Sequence, residues 1–176
     1  MIELTDKTID TTRLLAAVTD PHCGAEVLFV GTTRQWTQSA EHGKLETDYL
    51  SYEAYEEMAV SQIQALGEEA CRRWPVQKFA VVHRLGRVEP EEASVAVAVS
   101  TPHRSEAFEA AKWLMDSIKH EVPIWKQEHY VQNGSEWIHP SSGSCSCDHS
   151  ARVPKSECAD QSESKAPAEA QEQRAS

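Results

Sequence analysis

The chain has 176 residues, of which 40% are hydrophobic, and a formal net charge of −11. That length suits one domain with a tail, and that apolar content suffices for one core. The acidic balance excludes general nucleic-acid binding, which needs an excess of Lys and Arg, while leaving room for a local cationic pocket for a small phosphorylated substrate. No apolar run nears the ~20 residues of a membrane span. The N-terminus MIELTDKTID has no signal-peptide pattern, so a cytosolic protein is expected. The five cysteines are odd in number and follow no disulfide framework; Cys23 and Cys71 are expected as reduced thiols.

In chain order, Ile2 to Thr5 alternates apolar and polar residues and reads as a short strand. Asp10 to Val18 reads as a helix with Leu14, Leu15 and Val18 on its apolar side, and Pro21 and Gly24 mark a turn. Ala25 to Val30 is a β-rich run, expected as a central strand. It ends at Gly31-Thr32-Thr33-Arg34, where a ligand could come close to the backbone. Gln35 to Lys44 is polar and reads as a mobile loop or lid, with Trp36 its one hint of more than solvation.

Thr47 to Ala54 alternates as a strand with one buried face. Glu56 to Trp74 follows as a long amphipathic helix, its core stripe placed at Met58, Ile63, Leu66 and Ala70, and Pro75 ends it. Lys78 to Leu85 is a strand in which His83 and Arg84 read as structural. Gly86 is a turn, GRVEPEEA a solvated acidic connection, and Ser94 to Ser100 a strand with Val95, Val97 and Val99 inward.

The stretch from His103 to Lys126 concentrates the chemistry. A helix is predicted from about Ser105 to Glu121, with Phe108, Ala111, Met115, Ile118 and Val122 as its apolar face, and Pro123 stops it. His103-Arg104 puts basic side chains at its start. Lys119 falls on the border of the apolar stripe, where a lysine can bury its stem and lose basicity enough to serve as base or nucleophile. Ile124 to Tyr130 and Ser135 to Ile138 are expected to pair as a hairpin across Asn133-Gly134. Helices mixed with hairpins make the class α+β.

After residue 140 large apolar residues all but vanish, so residues 141–176 are expected to be a disordered polar tail behind a domain of residues 1–140. Cys145, Cys147, His149 and Cys158 lack structural zinc spacing, and no metal is assigned.

The segment HRSEAFEAAKWLMDSIKHEVPIWKQE resembles the catalytic (large) subunit family of molybdopterin synthase. FVGTTR at 29–34, LSYEAY at 50–55 and VHRLG at 82–86 join it, in unbroken order over residues 2–138. The resemblance implies an α/β hammerhead fold with mixed and antiparallel sheet that dimerises. It implies a sulfurtransferase without cofactor, which places two sulfurs on cyclic pyranopterin monophosphate to form the molybdopterin dithiolene. The sulfur arrives as a thiocarboxylate on the C-terminal glycine of a small ubiquitin-like subunit, and the whole is a homodimer within a heterotetramer. That accounts for the lack of a reactive-looking cysteine motif here.

Carried over by the resemblance, Lys119 is the principal catalytic residue and Lys126 its companion, with Gln127 and Glu128 beside the substrate. Arg34, His103 and Arg104 are expected at the phosphate, with Thr32 and Thr33 as hydroxyl or amide contacts. The chain departs from the family in its tail and at Trp137-Ile138-His139-Pro140, which lacks the basic residue some members carry there. Two other readings are a non-catalytic dimeric scaffold for a ubiquitin-like partner and a phosphate or nucleotide sensor. Retention of all five cations argues for the enzyme.

Overall fold

The structure is a computed structural model that describes residues 1–39, 43–132 and 134–138. The predicted tail at 141–176, its Cys145, Cys147, His149 and Cys158, and Asn133 and His139 lie outside the described residues. The first sheet has the order β1 (Ile2–Thr5), β5 (Lys78–Arg84), β7 (Ala93–Thr101), β2 (Ala25–Thr32). β1 runs parallel to β5 and the other pairs are antiparallel.

The sequence of β7, ASVAVAVST, explains the layering. Its valines and alanines alternate, and both sets are buried. Val95, Val97 and Val99 pack with α2 (Glu56–Arg73) and α3 (Arg104–Glu121). Ala96 and Ala98 pack with Leu14 and Val18 of α1 (Thr11–Val18). Strands covered on both faces read as continuous apolar runs, and here the larger side chains face two helices while the smaller ones admit a single short helix. The Asp10 carboxylate starts α1 by accepting from the Thr12 and Arg13 amides, both at 3.0 Å.

Several expectations change at this level. β2, expected as central, is an edge strand paired among the described residues with β7 alone, and Glu26 and Phe29 on it are exposed. On the long helices Ile63, Leu66 and Ala70 and, on and just after α3, Ala111, Met115, Ile118 and Val122 are buried as expected, and one residue of each stripe is not. Met58 is 46% exposed and Phe108 63% exposed; the buried faces are Ala59, Ile63, Leu66, Gly67 and Ala70 on α2, and Ala107, Ala110, Ala111, Leu114, Met115, Ser117 and Ile118 on α3. Small residues let both helices approach the sheet closely, so alanine and glycine share the buried faces with the larger apolar side chains.

The second sheet has the order β3 (Trp36–Ser39), β4 (Gly43–Ala54), β8 (Ile124–Tyr130), β9 (Gly134–Ile138), with β6 (Gly86–Val88) also on β4. The expected mobile loop at 35–44 is therefore largely a hairpin: Trp36 pairs with Glu46 and Thr37 with Leu45. Its strands are polar, so no apolar alternation announces them. GRVEPEEA likewise opens with a strand, in which Gly86 (φ +70) stands opposite Tyr52 and Val88 opposite Leu50. The β8–β9 hairpin forms as expected, with Lys126 opposite Ile138 and Tyr130 opposite Gly134. Among the described residues, no helix is long and apolar enough to cross a membrane.

Candidate active site

α3 carries His103-Arg104 at one end and Lys119 at the other. His103 is the N-cap residue, extended at φ −132 and ψ 155, and the Thr101 hydroxyl fixes its carbonyl at 2.6 Å. Glu106 lies in the first turn and already complements the helix dipole there. Fifteen residues separate Arg104 from Lys119, which at 1.5 Å per residue is about 22 Å along a rigid helix. The chain then turns at Val122-Pro123 into β8, so Lys119, exposed on the last turn, and Lys126, third residue of β8, flank one corner.

On β8 successive side chains alternate in face. Lys126, Glu128 and Tyr130 therefore share one face and Gln127 takes the other, where its Nε2 donates to Ser135 Oγ at 3.1 Å. Lys126 Nζ donates to Glu128 Oε1 at 2.7 Å, and the Tyr130 hydroxyl donates to Glu128 Oε2 at 2.9 Å. Glu128 is only 5% exposed, and both its oxygens are engaged within the chain. Burial alone would raise its carboxyl. The hydrogen bond and charge of Lys126, with the hydroxyls of Tyr130 and Thr37, outweigh burial and hold it below the ordinary carboxylate range. Burial first, then Glu128, push the Tyr130 phenol upward, so it stays a donor.

Tyr52, opposite Lys126 in register, extends this polar face toward the first sheet. Burial raises its phenol, a Ser94 hydrogen bond partly offsets that, and the Glu128 charge raises it further. Its ring meets His83 edge-on at 5.0 Å. The structural reading of His83 and Arg84 agrees with what surrounds them. The His83 Nδ1 lies 2.9 Å from the Arg84 carbonyl, and Arg84 Nη1 pairs with Glu92 at 2.8 Å.

The remaining predicted residues sit at the end of β2. Thr32 and Arg34 are exposed. Thr33 is buried, its amide donates to the Glu92 carbonyl at 3.0 Å and its own carbonyl accepts from the Glu91 amide at 2.8 Å. Among the nine predicted residues, a side-chain ion pair joins Lys126 and Glu128. A shallow cavity of about 200 Å³ is lined by Trp36, Lys44, Leu45, Glu46, Tyr130 and Gln132, and by none of the nine. Lys44 Nζ stands 4.3 Å above the Trp36 ring there. Tyr130 and Thr37 are absent from the predicted set. Period-two spacing along 124–130 was the available signal for Tyr130, whereas Thr37 fell within the expected loop. Among the described residues no cluster of His, Cys, Asp or Glu is arranged to hold a metal ion.

The same α+β fold recurs in the crystal structure of molybdopterin synthase from Staphylococcus aureus, with TM-score 0.72 and 35% identity over 78% of this chain and 96% of that one. Fold and basic corner thus define the class, a molybdopterin-synthase-like α+β subunit. Sequence narrows it. The model of the MoaE protein family matches residues 4–121. The molybdopterin synthase catalytic subunit of Halalkalibacterium halodurans is 40% identical over 126 residues, 72% of this chain and 77% of that protein. The catalytic subunit of Bacillus subtilis is 39% identical over 136 residues, 77% and 83% of the two chains. The chain belongs to the MoaE protein family.

Proposed function

We infer that the chain acts as the catalytic subunit of a molybdopterin synthase, moving sulfur from the thiocarboxylated C-terminal glycine of a small ubiquitin-like partner to cyclic pyranopterin monophosphate. The thiocarboxylate sulfur attacks a substrate carbon, and the C–S bond forms as the C–O bond at that carbon breaks and its oxygen leaves with the phosphate or as water; two such additions give the dithiolene. The acyl group left on that sulfur is then released to water or to an amine, which returns the partner as a carboxylate or an amide. This chain needs no sulfur nucleophile of its own. Its tasks are to bind phosphate, orient the two reactants and stabilise the anions that develop.

The observation that carries the reading is the Lys126–Glu128 ion pair at the corner where α3 meets β8. A lysine held at 2.7 Å by a buried carboxylate keeps its ammonium in one place, which suits electrostatic stabilisation of an oxyanion. Lys119, on the exposed last turn, is suited to proton movement or capture of the acyl group. Arg34, His103 and Arg104, with Thr32, bind the phosphate. Thr33, whose main-chain groups are engaged with residues 91–92, shapes the end of β2. Because Arg104 and Lys119 stand about 22 Å apart on one helix, a shared pocket draws them from two chains. That favours a homodimer with a small subunit at each outer end. The free Cys23 and Cys71 fit a reducing compartment, and the cytosol is the proposed location.

The test is reconstitution with thiocarboxylated small subunit and cyclic pyranopterin monophosphate. The unaltered protein is expected to form molybdopterin, and Lys119→Ala and Lys126→Ala to lose turnover while keeping their circular dichroism and melting profiles. Normal product formation by either folded variant removes that lysine from the mechanism.

A further inference from the structure

Tyr130 has no place in the reaction as described, yet its hydroxyl ends the line of contacts that begins at Lys126. We propose that Tyr130 is a positioning residue for the reaction: by fixing the far oxygen of Glu128, its hydroxyl sets where the Lys126 ammonium stands. The inference rests on the reading of Lys126 as catalytic.

The geometry is that of one strand face. Residues 126, 128 and 130 follow at i, i+2 and i+4, so the three side chains stand in a row. Glu128 receives Lys126 on Oε1 at 2.7 Å and Tyr130 on Oε2 at 2.9 Å. A carboxylate held at one oxygen can swing about its side-chain torsions. Held at both, it cannot turn without breaking a charge-assisted bond. The lysine stem is long and flexible, so its ammonium is only as well placed as the anion that receives it. Thr37 on β3 adds a third donor, the second hydroxyl, toward the same carboxylate and bonds Thr47 of β4 at 3.3 Å. The groups that bear on Glu128 are therefore Lys126 and Tyr130 from its own strand, Thr37 from β3, Tyr52 from β4 and Glu136, its cross-strand partner on β9. The only acid among these neighbours, Glu136, is exposed.

Tyr130→Phe keeps the ring and removes the hydroxyl, in the assembled enzyme with thiocarboxylated partner and pterin substrate. The expected result is a kcat lowered about five- to tenfold, the scale of one lost hydrogen bond to a charged group, with KM within about twofold. The acid limb of the kcat–pH profile is expected to move upward, because Glu128 has lost a donor that favoured its anion. In parallel, carbon-13 NMR of the labelled Glu128 carboxyl follows the same titration without turnover, and it is expected to shift the same way. Thr37→Val serves as a second probe of the same carboxylate and is expected to shift its titration in the same direction. If Tyr130→Phe leaves kcat unchanged, or lowers it without moving the carboxyl titration, the positioning role is overturned. If Lys126→Ala itself turns over normally, the mechanism is lost while the NMR titration still reports on the contact, so the two failures are distinguishable.

Discussion

His83 is buried between the two sheets, and burial lowers its pKa from 6.5 to about 4, against a partial opposing effect of the Arg84 carbonyl. Between those values the unfolded chain binds a proton that the folded chain refuses. Stability from this group is therefore complete above pH 6.5 and is lost as pH falls toward 4. The expected loss between pH 7 and pH 5 is about 2 kcal/mol, read from urea unfolding. His83→Gln should flatten that slope; an unchanged slope would mean that the imidazole is not held neutral. The structural role of His83 was legible in the sequence because it lies within a clear strand. Its contact with Tyr52 was not, since residue 52 reaches it from the other sheet. The same holds at the candidate site. Once 124–130 is read as a strand, period two puts Lys126, Glu128 and Tyr130 on one face, whereas no local pattern says that Thr37 arrives from a polar hairpin to join them.

Between elements, the tightest constraint is the seat of α2 on β5. A Cβ at Gly67 would stand 2.1 Å from Cζ of the Phe79 ring, so the helix rests on that ring only because residue 67 lacks a side chain. Gly67→Ala gains helix propensity, by up to about 1 kcal/mol, but forces the ring or the helix to move. A net loss of about 1–3 kcal/mol is expected from overpacking, seen as a lower melting temperature. Adding Phe79→Leu should recover part of it; equal melting of Gly67→Ala and the parent would show that the ring yields freely. The limits of the helices were readable from Asp10, Pro75 and Pro123, whose capping and backbone chemistry acts locally. The first residue of each stripe was not, because Ala107 and Ala110 on α3 are buried for their small size, while Phe108, like Met58 on α2, faces out. Strand order was beyond reach for a related reason. The run at 25–30 is rich in β-formers whether it lies at the centre of a sheet or at its edge.

For the whole molecule, the decisive fact is the length of α3. It holds His103 and Arg104, the proposed phosphate-binding pair, and Lys119 about 22 Å apart in one chain, so the proposed pocket needs His103 and Arg104 from one protomer and the lysines of its partner. Two inactive variants should then complement each other. Co-expression of Lys119→Ala and Arg104→Ala chains under different tags allows the mixed dimer to be isolated. One of its two pockets carries both substitutions and the other carries neither, so about half of the parent's molybdopterin-forming activity is expected from a closed two-fold assembly. A mixed dimer no more active than either variant alone would contradict the account, because each chain would then be building its site from its own residues.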